Sequence, residues 1–189
     1  MKILVTGGAG YIGSHLCIAL VEAGFQPVVV DNFSNSRPAV VDRLAAIIGK
    51  PTPVATGDIR DAAFLDRIFQ EHEFRAVIHL AGVKAVEESC RLPLLYYQSN
   101  LGGTLSLCAA MERSGVRNLL FSSSATIYGA CSMSPVKETA PLSAANPYGR
   151  TKLMIERLLA DLVAAPVATS GPWRVAALRY FNPVGAHDS

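Results

Sequence analysis

A run of glycines between two apolar strands constrains this chain more than any other feature. Residues 2–6 read Lys-Ile-Leu-Val-Thr, and Gly7-Gly8-Ala9-Gly10-Tyr11-Ile12-Gly13 follows at once. An apolar run of helical character comes next, then Pro27-Val28-Val29-Val30-Asp31. Gly8, Gly10 and Gly13 fit G-x-G-x-x-G, while Gly7, Gly10 and Gly13 fit the wider G-x-x-G-x-x-G. A strand that turns directly into a helix needs glycine where φ is positive. It also needs missing Cβ atoms where a pyrophosphate must touch the backbone, and the helix start then offers free N–H groups and partial positive charge. Asp31 ends the second strand, roughly 20 residues on, where an acid accepts hydrogen bonds from a ribose 2′-hydroxyl and repels a 2′-phosphate. Asn32 follows it, not Arg, so NAD is expected over NADP. An ordinary turn also uses glycines. It is the order strand, turn, helix, strand, acid that points to a dinucleotide.

Strand-like and helix-like segments alternate along the rest of the chain. Helices are expected over Tyr11–Ala23, closed by Gly24, and over Pro38–Ile48, stopped by Gly49 and Pro51. Others run from an Asp61 N-cap to His72, over Leu94–Arg113 after a break at Pro93, and over Tyr148–Val163. Further strands are expected at Pro53–Thr56, Ala76–Leu80, Asn118–Ser122 and Arg174–Tyr180, with a loop over Ser123–Pro147 and a linker over Ala164–Pro172. This alternation predicts an α/β fold, a doubly wound parallel sheet (Rossmann-like), in one dinucleotide-binding domain over residues 1–189. Ligands of such sheets sit beyond the carboxyl ends of the strands. Gly7, Asp31, Asp58, Ala81, Ser122 and Phe181 all fall at such ends.

Composition narrows the classes further. A chain of 189 residues, 50% hydrophobic, can bury one substantial core. A net charge of +2 makes no case for nucleic acid or a membrane surface as partner. No apolar stretch approaches the ~20 residues that cross a bilayer, and the N-terminus does not read as a signal peptide. Cys17, Cys90, Cys108 and Cys131 form no C-x-x-C pair, so reduced thiols and a cytoplasmic location are expected. His15, His72, His79 and His187 lack ligand spacing, and no metal is expected.

Chemistry concentrates in two short stretches. Tyr148 and Lys152, four apart on a helix, share one face. An ammonium beside a phenol favours the phenolate, so Lys152 is expected to lower the pKa of Tyr148 and make it a usable base. A packed tyrosine and a solvated lysine would give the same spacing. Ser122-Ser123-Ser124 directly follows an apolar strand, and a hydroxyl there could share a substrate proton with Tyr148. An ordinary polar turn is the alternative. No acid–histidine pair accompanies these serines, which argues against a hydrolase nucleophile.

Together with the glycine turn, Asp31, Asp58-Ile59, Leu80-Ala81-Gly82 and Asn100, these stretches make the chain resemble the extended short-chain dehydrogenases/reductases. Longer motifs are similar to its UDP-hexose epimerase branch. They are the stretch from Val5 to His15, Asp31-Asn32, Gly82 to Val86, Ser122 to Gly129, and Leu178 to His187. The resemblance implies NAD-dependent epimerisation at C4 of a UDP-hexose, through transient oxidation to a 4-keto sugar. It places Gly7, Gly10, Tyr11, Ile12 and Gly13 at the pyrophosphate. Asp31, Asn32, Phe33, Ser34, Asn35 and Ser36 would lie at the adenosine ribose, and Asp58 and Ile59 at the adenine. Leu80, Ala81, Gly82, Val83, Lys84, Asn100 and Ser122 would flank the cofactor, and Tyr180 and Phe181 would line its nicotinamide end. Tyr148 would be catalytic base and acid, Lys152 would tune it and hold the nicotinamide ribose, and Ser124 would bridge Tyr148 and the sugar hydroxyl. Lys84, Ser124, Tyr148 and Asn182 would meet the substrate. A homodimer built on the Leu94–Arg113 and Tyr148–Val163 helices is the family habit.

Other activities of the family stay in view. A 4,6-dehydratase would want an acid beside the serines, where Ala125 and Thr126 stand. A uronate epimerase or decarboxylase would want a base for the carboxylate. An idle NAD-binding module is the reading from another class. The family also has a smaller C-terminal domain that grips the nucleotide sugar, expected here to lie beyond residue 189. These 189 residues alone are therefore expected to turn over slowly. A steady-state assay with UDP-galactose checks this, and near-normal turnover would refute it.

Overall fold

The computed structural model describes residues 1–131, 134–166 and 171–188. Six parallel strands form one sheet in the order β3-β2-β1-β4-β5-β6. They are β1 (Lys2–Thr6), β2 (Gln26–Asp31), β3 (Val54–Thr56), β4 (Phe74–His79), β5 (Asn118–Ser124) and β6 (Arg174–Tyr180). The order reverses between β1 and β4, so the doubly wound expectation holds and the crevice falls beyond the ends of those two strands.

The helices follow the local signals closely in the first half. α1 (Tyr11–Glu22) ends before Gly24, which takes φ 82°. α2 (Ala39–Ile48) ends on the left-handed Gly49. α3 (Ala62–Glu71) begins at Asp61, whose carboxylate accepts from the Phe64 N–H at 3.0 Å.

The middle of the chain departs from expectation. A short helix α4 (Val86–Arg91), with Glu87 and Glu88 in its first turn, stands where none was expected. Its acids meet the positive end of the helix. Pro93 does not precede the long helix but opens it: α5 (Pro93–Tyr96) starts on the proline, whose missing N–H is no loss in a first turn. A π segment (Tyr97–Gly102) then joins α5 to α6 (Gly103–Ser114). The serine run also differs. Ser123 and Ser124 belong to β5, because β6 pairs with it through Ser123↔Arg179 and Ser124↔Tyr180. A 3₁₀ turn (Ala125–Tyr128) follows, and α7 (Pro147–Ala164) starts at Asn146, whose side chain accepts from the Gly149 N–H at 2.8 Å. The centre of the expected 164–172 linker, residues 167–170, and residues 132–133 of the expected 123–147 loop lie outside the described residues.

Two apolar layers hold the sheet. One packs Leu4, Val77, Leu119 and Phe121 against Leu65 of α3, Met111 of α6 and Ile155 and Leu159 of α7. The other packs Ile3, Val5, Val29 and Ile78 against Cys17 and Ile18 of α1 and Leu44 of α2. On that second face an open apolar trough runs along Ile3, Ala76, Ile78, Leu120 and Ala176. Among the described residues no helix is long and apolar enough to cross a membrane.

A buried imidazole ties the sheet to α6. His79 Nδ1 lies 2.7 Å from Thr6 Oγ1, and Nε2 lies 2.9 Å from Thr104 Oγ1. Thr104 gives its own proton to the Asn100 carbonyl, so its oxygen accepts from His79 Nε2–H and Thr6 donates to Nδ1. Both ring nitrogens are satisfied in the neutral form. Burial, reinforced by the Lys152 charge, pushes His79 down to about 3. The unfolded chain binds a proton near pH 6.5 and the folded chain does not, so stability is lost as pH falls from 6.5 towards 3. The slope is at most about 1.4 kcal/mol per pH unit. Urea unfolding at pH 7 and pH 5 is expected to show a smaller pH dependence in His79→Gln than in the parent. Equal dependence would mean that His79 is not held neutral.

Candidate functional site

The glycine turn joins β1 to α1 through close backbone approaches. Gly7 takes φ 71°, and a Cβ there would stand 2.7 Å from the Ala81 nitrogen. A Cβ on Gly13 would stand 2.4 Å from the Gly7 carbonyl oxygen. Real Cβ atoms do not come so close, so neither site takes a side chain without moving the helix off the strand. Gly10 is the N-cap of α1, with no side-chain cap and no acid in the first turn. The helix start is thus left to anything anionic that arrives. Tyr11 is exposed, and its hydroxyl donates to the Gly185 carbonyl, drawing the segment after β6 across the turn.

Asp31 is nearly buried at the end of β2. One oxygen accepts from the Ala9 N–H at 3.0 Å; the other accepts from the Phe33 N–H at 2.9 Å and from Ser36 Oγ at 3.0 Å. A carboxylate has about four acceptor positions, so three are used by the chain itself. Phe33 takes a positive φ of 56°, and Ser34 N–H donates to Asn32 Oδ1, so residues 32–36 curl over the acid. Asp58 is less free than its motif implies. Arg60 holds it at 2.9 and 2.7 Å, Asn32 donates to it, and the Arg60 bonds keep its carboxyl low, at about 2. Ile59 is buried and faces Gly103.

The segment after β4 forms the floor. Leu80 and Ala81 are half-buried, Gly82 takes φ 155°, and Lys84 is exposed. Asn100, in the π segment, has its amide fully engaged. Its oxygen accepts from Val83 N–H at 2.9 Å, and its nitrogen donates to the Val83 carbonyl and to Thr151 Oγ1, both at 3.0 Å. It braces the loop on α7 instead of presenting a free group. π segments of this kind recur at functional sites.

Ser124, Tyr148 and Lys152 come together as the sequence suggested. Ser124 lies beside the Tyr148 phenol and accepts from the Thr126 N–H at 3.2 Å and Thr126 Oγ1 at 2.9 Å. Lys152 is buried, donates to the Ser122 carbonyl at 2.8 Å, and stands 6.0 Å from the centre of the Tyr148 ring. A Cβ on Gly82 would stand 4.0 Å from its ammonium. The electrostatics correct one expectation. The Tyr148 phenol is raised, not lowered, because burial outweighs the Ser124 hydrogen bond. The Lys152 ammonium points at the Ser122 carbonyl and is itself pushed down to about 8 by burial.

Tyr180 is half-buried on β6, while Phe181 and Asn182 are exposed on the segment that follows. Sequence reasoning missed the supports: Thr151, Thr126, Glu156 and Arg179. Glu156 was signalled only by its spacing of four from Lys152, and Arg179 only by its alternation along β6. No cluster of His, Cys, Asp or Glu able to hold a metal occurs among the described residues.

Comparison with known proteins agrees with this geometry. The NAD dependent epimerase/dehydratase family model matches residues 3–189. The UDP-glucose 4-epimerase of Bacillus subtilis (strain 168) is 53% identical over the whole chain, and that of Mus musculus 48%. The chain spans 55% of the length of each of these relatives. A crystal structure of UDP-glucose-4-epimerase from Stenotrophomonas maltophila, with bound NAD and formylated UDP-arabinopyranose, superposes with a TM-score of 0.93. It is 50% identical and covers 99% of this chain and 55% of that one. The Bifidobacterium longum enzyme in complex with NAD+ and UDP gives 0.94 at 45% identity, with 100% of this chain and 55% of that one covered. Carrying the glycine turn, the acid after β2 and the Ser-Tyr-Lys group on one doubly wound sheet, the chain belongs to the NAD dependent epimerase/dehydratase family.

Proposed function

We propose that residues 1–189 form the NAD-binding and proton-handling part of a C4 epimerase of UDP-hexoses. One observation carries this reading: a continuous run of contacts leads from the phosphate-type turn to the phenol. Gly7 abuts Ala81, Gly82 abuts the Lys152 ammonium, and Lys152 lies beside Tyr148, which meets Ser124. A dinucleotide laid along the strand ends would place one end on the glycine turn and the other at the phenol.

The residues present suit NAD. The cradle of Gly7, Gly10 and Gly13 excludes side chains, and Tyr11 and Ile12 open the uncapped helix beside it. Asp31 keeps one acceptor position for a ribose hydroxyl, within the curl of residues 32–36. Asp58 and Ile59 border the adenine end, with Asp58 presented through its pair with Arg60. Leu80, Ala81, Gly82, Val83, Lys84 and Ser122 wall the cofactor, Asn100 braces that wall, and Tyr180 and Phe181 close the nicotinamide end. When bound, NAD accepts one hydride from the sugar and returns it.

The chain's own groups handle the proton. Tyr148 takes it from the sugar 4-hydroxyl and gives it back to the inverted alcohol. Ser124 holds the phenol and the sugar oxygen together. Lys152 supplies positive charge at neutral pH, an effect that fades as pH rises through about 8. Lys84 and Asn182 meet the nucleotide sugar. Ala125 and Thr126 follow the serines, the Thr126 hydroxyl is engaged with Ser124, and the carboxylate that meets Ser123, Glu156, is paired with Arg179, which favours epimerisation over 4,6-dehydration. A homodimer fits the exposed Leu94, Leu105 and Met154 on the α5–α6 and α7 helices. Four free cysteines fit the cytoplasm.

Calorimetric titration is expected to show saturable NAD binding, tighter than NADP by tenfold or more, with the preference shrinking in Asp31→Ala. Absence of NAD binding would overturn the reading. With NAD bound, addition of UDP-glucose is expected to raise an NADH-like ultraviolet band. In Tyr148→Phe the band should form slower by about 100-fold or more. Bound NAD with no band in the parent chain would favour an idle NAD-binding module.

A further inference from the structure

Glu156 lies two turns beyond Tyr148 on α7, and its carboxylate serves two strands at once. Its side chain is only 10% exposed. One oxygen accepts from Ser123 Oγ on β5 and from Arg179 Nε on β6, the latter at 3.1 Å; the other accepts from Arg179 Nη2 at 2.7 Å. Ser123 and Arg179 are register partners on neighbouring strands, so both side chains reach the same face of the sheet. Arg179 Nη1 also donates to the Tyr128 hydroxyl at 2.8 Å and to the Glu138 carbonyl at 3.1 Å. The guanidinium on β6 thereby joins α7 to the segment that leads to Tyr148, and Glu156 ties both to β5.

The placement is what matters. Tyr148, Lys152 and Glu156 recur every four residues along one face of α7. Each faces a different residue of a single tripeptide of β5: Lys152 donates to the Ser122 carbonyl, Glu156 accepts from the Ser123 hydroxyl, and the Tyr148 phenol lies beside Ser124. Only the third rung is a charged fork, whose two parallel bonds resist both sliding and rotation of the helix. The proton chemistry needs no carboxylate there. Stability does not require one either, since an apolar pair of like volume commonly serves as well as a buried ion pair.

We propose that Glu156, held by Arg179 and Ser123, is a positioning residue that keeps Tyr148 and Lys152 in register with Ser124 and the Ser122 carbonyl. The proposal rests on Tyr148, Lys152 and Ser124 being the proton-handling group.

A titration cycle on the 189-residue chain tests it without cofactor or sugar. Tyrosinate absorbance is followed against pH, and the Tyr148 share is the part lost in Tyr148→Phe. The groups facing that phenol are Ser124, Lys152 and Tyr96, the last bonded to Glu88. Because the Ser124 hydroxyl lowers the Tyr148 midpoint, Ser124→Ala is expected to raise it. The same change is expected to do little in Glu156→Ala or in Arg179→Lys, which keeps the charge but loses the fork. Glu156→Gln, which keeps the shape, is expected to retain most of the coupling and guards against a variant that fails to fold. An equal Ser124→Ala shift in all backgrounds would overturn the proposal, as would no shift in the parent. Failure of NAD to bind would instead strike the functional reading, and the cycle would still report on Glu156.

Discussion

Everything in this fold depends on how closely two stretches of bare backbone approach. The turn after β1 packs on the chain leaving β4, with room for no Cβ at Gly7, and α1 packs on that turn with room for none at Gly13. Glycine is disfavoured in regular structure because it is conformationally free. Here the cost is offset by what the approach creates: an uncapped helix start at the point where the strand order reverses. The floor formed by Ala81 and Gly82 then carries the geometry on to Lys152 and Tyr148.

Around that floor the polar interior is satisfied group by group. His79 stays neutral between two threonines, Asn100 uses both ends of its amide on Val83 and Thr151, and Lys152 reaches a strand carbonyl. Each is buried, and each would be costly without its partners. Removal from water also sets the chemistry. Burial depresses Lys152 and raises Tyr148, so the chain alone does not hold a phenolate ready.

Legibility in the sequence followed the range of the interactions. The glycine turn, Asp31, the Asp61 cap and the strands were readable because turn chemistry, capping and apolar runs act over a few residues. The helix at Val86–Arg91 was not, since it is six residues long and lacks a side-chain cap. Nor was the π segment at Asn100, which no local pattern announces. Within the site, Tyr148, Lys152 and Ser124 stood out through spacing and strand context. The capture of Asp58 by Arg60 at the surface and of Glu156 by Arg179 in a largely buried fork did not, because a free charged residue and a paired one look alike in a string of letters.

The sequence by itself determined the order of the six strands and their alternation with helices, the glycine turn and the pairing of Tyr148 with Lys152 on one helical face, all consequences of local periodicity and backbone freedom. Only the tertiary structure decided that the Ser124 strand extends through the serines, that Asn100 braces a wall, and that Tyr148 is raised instead of lowered. Those outcomes depend on strand register and on the depth at which each group is cut off from water, and both exist only once distant parts of the chain have packed together.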